Sequence, residues 1–301
     1  MSQKVRIATR KSKLATQQTN YICRLLQNRN PGLEIETLGV VTTGDKSANQ
    51  PNSALSGKGD FLKEIESELL NGTADLAIHS MKDVPAHLPD GLAVRAVAPR
   101  QDPSDALVGV SSPFNIPADA RIGTSSCRRR ALLRHAFNKT NVQDIRGNVD
   151  TRLKKLDEGS YDALVLATAG LLRLGLNNRI GLRLDPSIFV PAAGQGQLAA
   201  EYRIGDNRIS RLIDSLEEPG ASDVSRCERD VVNMLGADCT TPVGVFCVSR
   251  NQEFHIEAIV VDPSGERSVR VSCQDESPGS LATTVARSLL SMGASELFEV
   301  G

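Results

Sequence analysis

The heptapeptide His79-Ser80-Met81-Lys82-Asp83-Val84-Pro85 closes the apolar run 74–78 and sets a carboxylate beside an ammonium at a strand end. Three other strand-to-turn junctions also end in cations: Thr9-Arg10-Lys11-Ser12, Gly123-Thr124-Ser125-Ser126-Cys127-Arg128-Arg129-Arg130, and Arg146-Gly147-Asn148 running on to Thr151-Arg152. Each precedes a helix-like segment, and the free N–H groups of a helix N-terminus already favour anions. Four such junctions around one acidic residue describe a site for a substrate with many carboxylates or phosphates. One lone acid or base would then do the chemistry.

Each of these features has a plainer alternative. Asp83 next to Lys82 could be a surface ion pair worth about 0–1 kcal/mol. A carboxylate at the C-terminal edge of a parallel sheet, however, stands where such folds bind ligands and could serve as general acid and base. His79 lies inside the strand pattern and reads as a core or supporting residue. An arginine run is usually a solvated helix face, but arginine forms bidentate bonds to carboxylates that a solvated face would not require. Neighbouring side chains on a helix point about 100° apart, so at most two of the three share a ligand, and Arg130 is the one left to solvent.

Six cysteines occur, none in a Cys-x-x-Cys pair, which reads as reduced thiols in a cytosolic protein. Cys227 and Cys247 fall among apolar neighbours as packing residues, and Cys23 falls on the polar side of the first helix. Cys239 instead sits in the polar loop Gly236-Ala237-Asp238-Cys239-Thr240-Thr241-Pro242, where an accessible thiol could be a nucleophile or an attachment point. Gly194-Gln195-Gly196-Gln197-Leu198-Ala199 matches the dinucleotide fingerprint formally. It follows Pro191 rather than opening a first strand-to-helix turn, so a hinge or backbone loop is the better reading.

Composition limits the partners. Lys plus Arg is 35 against 36 Asp plus Glu, net −1, with 3% aromatics and no Trp. A nucleic-acid binder needs a basic excess and stacking aromatics, so no nucleic-acid partner is expected. The longest apolar stretch, 163–172, is far short of the roughly 20 residues that span a bilayer, and the N-terminus lacks an apolar core of signal-peptide length. We therefore expect a cytoplasmic protein with no membrane partner.

Short apolar strands at 5–9, 33–41, 75–79, 106–110, 120–123, 142–145 and 163–167 alternate with helical patterns, including 61–70 with Glu64, Glu66 and Glu68 outward. Alternation of this kind predicts parallel sheets wound with helices on both faces, here as two successive lobes. A helix with Val224, Cys227, Val231 and Leu235 on one stripe stops at Gly236. Strands at 243–248, 254–261 and 268–273 with a helix at 281–292 predict a third, small α+β domain around a three-stranded antiparallel sheet. The fold class is thus α/β, two doubly wound lobes plus that domain. The boundaries are 1–98 with 197–215, 99–196, and 216–301, the chain crossing near Pro99 and 191–196.

These pieces coincide with one family. The chain resembles porphobilinogen deaminase (hydroxymethylbilane synthase) almost end to end. The carrying residues are Arg6-Ile7-Ala8-Thr9-Arg10-Lys11-Ser12, Gly57-Lys58-Gly59, 79–85, 123–129, Arg146-Gly147-Asn148-Val149, Thr151-Arg152-Leu153, Ala169-Gly170-Leu171, Pro191 with Gly194-Gln195-Gly196, and the Cys239 loop ending Pro242-Val243-Gly244. The resemblance implies a two-lobed architecture like that of periplasmic binding proteins and a monomeric transferase. It implies condensation of four porphobilinogen units with loss of ammonia, releasing hydroxymethylbilane for tetrapyrrole and haem synthesis. It implies a dipyrromethane cofactor on Cys239 and Asp83 as the catalytic carboxylate with Lys82 beside it. Ser12, Lys58, Thr124, Ser126, Arg128 and Arg129 would bind the cofactor. Arg10, Arg146, Arg152 and Arg173 would bind substrate carboxylates, and no metal is expected. Three residues depart from the family pattern: Ala54, Asp60 and Asp238. A two-lobed binding protein for a small anion is the alternative, disfavoured by Asp83 and the Cys239 loop.

Overall fold

The computed structural model describes residues 3–44, 62–85, 87–117, 119–139, 141–218, 220–238 and 240–298. Lys58 and Cys239, with Ala54 and Asp60, lie outside the described residues. Strand β1 (Gln3–Arg10) leads into helix α1 (Lys13–Arg29) and strand β2 (Leu33–Val40), followed by α2 (Lys63–Leu70), β3 (Leu76–Ser80) and β4 (Leu92–Val97). Next come β5 (Asp105–Val108), β6 (Ile122–Gly123), α3 (Cys127–Phe137), β7 (Val142–Gln143), α4 (Val149–Asp157), β8 (Ala163–Ala167), α5 (Thr168–Arg173) and β9 (Ile180–Arg183). The chain continues through β10 (Leu198–Arg203), α6 (Asn207–Asp214), α7 (Ala221–Met234), β11 (Val243–Arg250), β12 (Glu253–Val261), β13 (Ser268–Asp275) and α8 (Pro278–Ser291).

Two compact units result, Met1–Arg100 with Gln197–Ser222, and Gln101–Gly196 with Asp223–Gly301. The first holds a five-stranded sheet ordered β2-β1-β3-β10-β4, the second a five-stranded sheet ordered β7-β6-β8-β5-β9. Parallel pairing joins β1 to β2 and β3, and β6 to β7 and β8, as the alternating pattern predicts. The inserted strand of each sheet, β10 or β5, runs antiparallel to both neighbours, so the sheets are mixed. A parallel neighbour needs a crossover connection, usually a helix. Both inserted strands instead follow the segments by which the chain passes from one unit to the other.

In the first unit Val5 and Ile7 of β1 face Ile22 and Leu26 of α1 in one apolar cluster, while Ala8 joins Ile65 and Leu69 of α2 on the opposite face. Each such enclosed aliphatic chain stabilises by about 1.5–3 kcal/mol. Two residues expected on polar faces are inside. Cys23 joins the α1 stripe, and Glu66 of α2 is only 8% exposed. The physical reason is the same for both. A core-facing stripe is wider than 100°, so the residue beside Ile22 or Ile65 is carried in with it.

The antiparallel sheet β11-β12-β13 forms as the alternation predicts. Cys227 and Val231 of α7, Cys247 of β11 and Leu281, Val285 and Leu289 of α8 make one core with it. This sheet packs within the second unit, where Ile259 and Val261 of β12 join Leu132 and Phe189, and Arg134 donates to the Pro263 carbonyl at 2.5 Å.

Candidate active site

β1 and β3 are parallel neighbours, so their C-terminal ends share one edge of the first sheet. Arg10 ends β1, and Lys82 and Asp83 occupy the single 3₁₀ turn Met81–Asp83 that follows β3. The turn is anchored at both sides. Met81 N–H donates to the Gln197 carbonyl (2.9 Å) and Val84 N–H to the Met81 carbonyl (3.1 Å). Met81 and Val84 are buried against Ala96 and Ala199. Fixing those two apolar chains turns Lys82 to a half-buried position and Asp83 outward into solvent. Ser12 caps α1 at the same edge, its hydroxyl accepting the Ala15 N–H at 3.3 Å. His79 is enclosed, as its place in the strand pattern indicates, with Nε2 2.9 Å from Glu201 Oε2.

In the second unit the parallel strands β6, β7 and β8 likewise end on one edge. Thr124 and Ser126 form the turn from β6 into α3. Ser126 donates its N–H to Thr124 Oγ1 (3.3 Å) and caps α3 by accepting the Arg129 N–H (3.4 Å). Arg128 and Arg129 then turn inward, 4% and 6% exposed. Both guanidinia lie 2.7 Å from the fully enclosed carboxylate of Asp105. Arg128 also donates to the Val190 carbonyl at 2.7 Å and stacks over Phe189, 5.7 Å from the ring centroid. Arg129 donates to the Val165 carbonyl at 3.1 Å. Burial pushes the Arg128 guanidinium down from its usual range, and the Asp105 charge opposes that push. Arg128 Nε is buried without a hydrogen-bond partner among the described residues. Arg130 points outward to Asp144, as expected of the third residue in the run.

Arg146 occupies the turn between β7 and α4, half-buried. Gly147 follows with φ +107, and a Cβ there would lie 2.7 Å from the Thr151 methyl, so only glycine allows this entry into α4. Arg152 folds back on the same turn, its Nε donating to the Gly147 carbonyl at 2.7 Å. Arg173 ends α5 and donates to the Gly196 carbonyl at 2.7 Å. The described cations of the second unit therefore gather at α3, at α4 and at the end of α5. Arg10, Ser12, Lys82 and Asp83 gather on the sheet edge of the first.

Two residues that set this geometry carry no functional reading in the sequence. Asp105 opens the buried strand Asp105–Val108, and a carboxylate heading a wholly enclosed apolar run is the available signal that it meets buried cations. Gln195, inside the formal dinucleotide fingerprint, is fully buried and donates to Asp105 Oδ1 (3.0 Å) and the Pro103 carbonyl (2.7 Å). Beside the Cys239 position, Asp238 Oδ1 accepts the Thr240 N–H (2.8 Å) and both the Thr240 and Thr241 hydroxyls. The hydrogen bonds from Thr240 hold the Asp238 carboxyl below its ordinary range.

The chain matches two domain profiles along its length. Residues 5–211 match the profile described as porphobilinogen deaminase, dipyromethane cofactor binding domain, and residues 224–291 match porphobilinogen deaminase, C-terminal domain. The porphobilinogen deaminase of Chromobacterium violaceum is 42% identical, covering 98% of this chain and 96% of its own. That of Acidithiobacillus ferrooxidans is 40% identical, covering 99% and 98%. Among solved structures, the BenM effector binding domain with its effector benzoate aligns with a TM-score of 0.47 at 15% identity, over 73% of this chain and 97% of that one. The periplasmic aliphatic sulphonate binding protein SsuA from Escherichia coli aligns at 0.42 and 15%, over 77% and 70%. With both domain profiles matched in order and relatives similar along their whole length, the chain belongs to the porphobilinogen deaminase family.

Proposed function

We propose that Asp83 is the carboxylate that manages charge and proton in this chain's reaction, with Lys82 holding a substrate carboxylate beside it. The reaction is that of the family: a transferase joins four porphobilinogen units head to tail, each joining losing one ammonia, and addition of water releases hydroxymethylbilane for tetrapyrrole synthesis. The observation that carries the assignment is an exposed carboxylate on a turn anchored by buried residues on either side, at the end of a sheet edge that also presents Arg10. Departure of ammonia from porphobilinogen leaves a pyrrole-stabilised cation, and the leaving amine is itself positive when protonated. A fixed negative charge beside them lowers the barrier electrostatically. Asp83 can also take up the proton released from the attacked pyrrole carbon, a role typically worth about 10²–10⁴-fold. Lys82 and Arg10 neutralise substrate carboxylates on that edge without transferring a proton.

The family's cofactor is dipyrromethane, and the residues present fit it. Its side chains end in carboxylates, and the second unit offers Arg128, whose Nε–H is buried with no hydrogen-bond partner among the described residues, on the helix that the Ser126 hydroxyl caps. We assign attachment to Cys239 through a thioether, and carboxylate binding to Ser12, Lys58, Thr124, Ser126, Arg128 and Arg129. When bound, dipyrromethane supplies the primer on which the chain is assembled. Arg146, Arg152 and Arg173 are assigned to substrate carboxylates with Arg10. What supports this is that Arg10 ends a parallel strand and Arg146 and Arg152 stand where the chain enters α4, positions that favour anions, while Arg173 closes α5.

The division into 1–98 with 197–215, 99–196 and 216–301 belongs to the same reading, supported by one sheet falling in each part. So do a monomeric state, the absence of a nucleic-acid partner and a cytoplasmic location. Among the described residues no helix is long and apolar enough to cross a membrane. The test is Asp83→Asn, nearly isosteric but uncharged. In a preparation verified to carry cofactor, turnover should fall by at least about 10²-fold. Near-normal turnover would remove Asp83 from the mechanism.

A further inference from the structure

Four residues before Asp83, His79 meets Glu201 of β10 inside the first unit, Nε2 to Oε2 2.9 Å, both side chains enclosed. The other oxygen, Glu201 Oε1, is buried with no hydrogen-bond partner among the described residues. A second carboxyl, Glu66, is buried on α2, the helix that packs against both β3 and β10. Two ionised carboxylates in a space served by one imidazole would leave uncompensated charge in the core, which is strongly unfavourable.

Other charged groups belong to the elements packed around these carboxyls. Lys63 of α2 favours the Glu66 carboxylate, but less than His79 does. Arg6 and Arg203, on the same face, are engaged with Asp75. By strand alternation Arg10 ends β1 on that face, while β4 presents Leu92, Val94 and Ala96 there. Arg95 is paired with Asp214 and Glu217.

We propose that the His79–Glu201 contact makes both positioning residues for the Met81–Asp83 turn, with Glu66 keeping a proton in the same folded core. The link to turnover rests on the reading of Asp83 as the catalytic carboxylate. The contact spans β3 and β10 at the last rungs before the turn, where His79 pairs with Ala199 and the Met81 N–H bonds the Gln197 carbonyl. The apolar chains that seat the turn, Met81 and Val84, pack on Ala199 of β10 and Ala96 of β4. A slip between β3 and β10 would therefore move Asp83 with it.

Burial pushes the Glu66 carboxyl above its ordinary range, the Glu201 charge adds to that push, and His79 opposes it. An acid whose folded value is raised binds more protons in the native than in the unfolded state across the interval between the two values. Stability then falls as pH rises from about 4.3 toward the folded value.

The experiment uses the full chain and its Glu66→Gln and Glu201→Gln variants. It measures the carbon-13 titration of Glu66, urea midpoints from acid to alkaline pH, and kcat and KM over the same range. Glu66 should titrate above the exposed glutamates. Glu66→Gln should flatten the fall in midpoint and extend the alkaline limb of kcat. Glu201→Gln should lower kcat about tenfold with KM within about twofold, and shift the same limb. Glu66 titrating with the exposed glutamates overturns the proton assignment, even if Glu201→Gln fails to fold. A Glu201→Gln protein that is less stable but has an unshifted kcat profile overturns the positioning role. If Asp83→Asn keeps turnover while Glu66 still titrates high, the proton assignment stands and the catalytic link falls.

Discussion

Replacing Asp105 with asparagine removes the negative charge held between two enclosed guanidinia. The carboxylate is fully buried, 2.7 Å from both Arg128 and Arg129, and receives the Gln195 amide at 3.0 Å. Deleting one member of a buried ion pair costs about 3–5 kcal/mol because the other is left uncompensated. Here two cations are stranded, and the new amide N–H₂ would face donor groups, so the upper half of that range is expected. About 4 kcal/mol corresponds to roughly 10³-fold in an equilibrium constant. A protein of two units is unsuited to a single unfolding free energy, so the assay is amide hydrogen exchange read peptide by peptide. Protection of α3 and β5 should drop by about 10²–10³-fold, with β1 and β3 unaffected. Adding Arg128→Met to Asp105→Asn should restore part of that protection, since it removes one stranded charge. Protection in α3 within about fivefold of the parent would refute the claim that Asp105 holds this pair in place.

Three further outcomes follow from the site. Cys239→Ser should fold but carry no pyrrole adduct, by intact mass and by Ehrlich's reagent; an adduct that survives moves attachment to another thiol. Arg152→Leu removes a guanidinium that folds onto the Gly147 turn. It should weaken the affected binding stage by about 1.5–3 kcal/mol, roughly tenfold to more than a hundredfold, read as a raised KM or a lowered kcat; unaltered kinetics would remove it from the carboxylate set. Asp75 is enclosed, and although burial pushes its carboxyl up, hydrogen bonds from Arg6 outweigh that and hold it below its ordinary range. Its contribution to stability is present above the unfolded value of about 3.9 and is lost as pH falls through the folded one. Asp75→Asn should therefore be less stable at neutral pH and show a shallower acid limb, measured as melting temperature against pH; an acid limb identical to the parent's would count against this.

The strands were legible where the apolar period was local. Residues 163–167 are β8 as expected, and the C-terminal sheet appears with its three strands in hairpin order. Strand direction was less legible. Leu198–Arg203 and Asp105–Val108 are apolar runs like any other, and nothing in them records that they enter beside β3 and β8 from the opposite end. That information resides in where the chain crosses between units, a non-local property that periodicity does not encode.

The candidate site divides along the same line. Its exposed parts, Asp83 and the glycine-bounded turns, could be read from residue type and spacing because turn chemistry is local. Its supports could not. Arg128 and Arg129 read as ligands for an anion, and the structure gives each a protein anion, Asp105, twenty-three and twenty-four residues away. Glu66 reads as a solvated face, yet it is buried on α2, which packs against β10, and its carboxyl is raised further by the charge of Glu201 from the segment after the second crossing. A charged residue's direction depends on whether a distant segment brings a partner, and a sequence window contains only one of the two. The pairs His79–Glu201, Arg128–Asp105 and Arg203–Asp75 each join different elements of one unit. Each charged cluster can therefore form only after those elements have docked. On this argument the geometry of the arginines and of the Asp83 turn is a product of the assembled sheet, and a variant that loosens a buried partner should impair the site without touching a ligand.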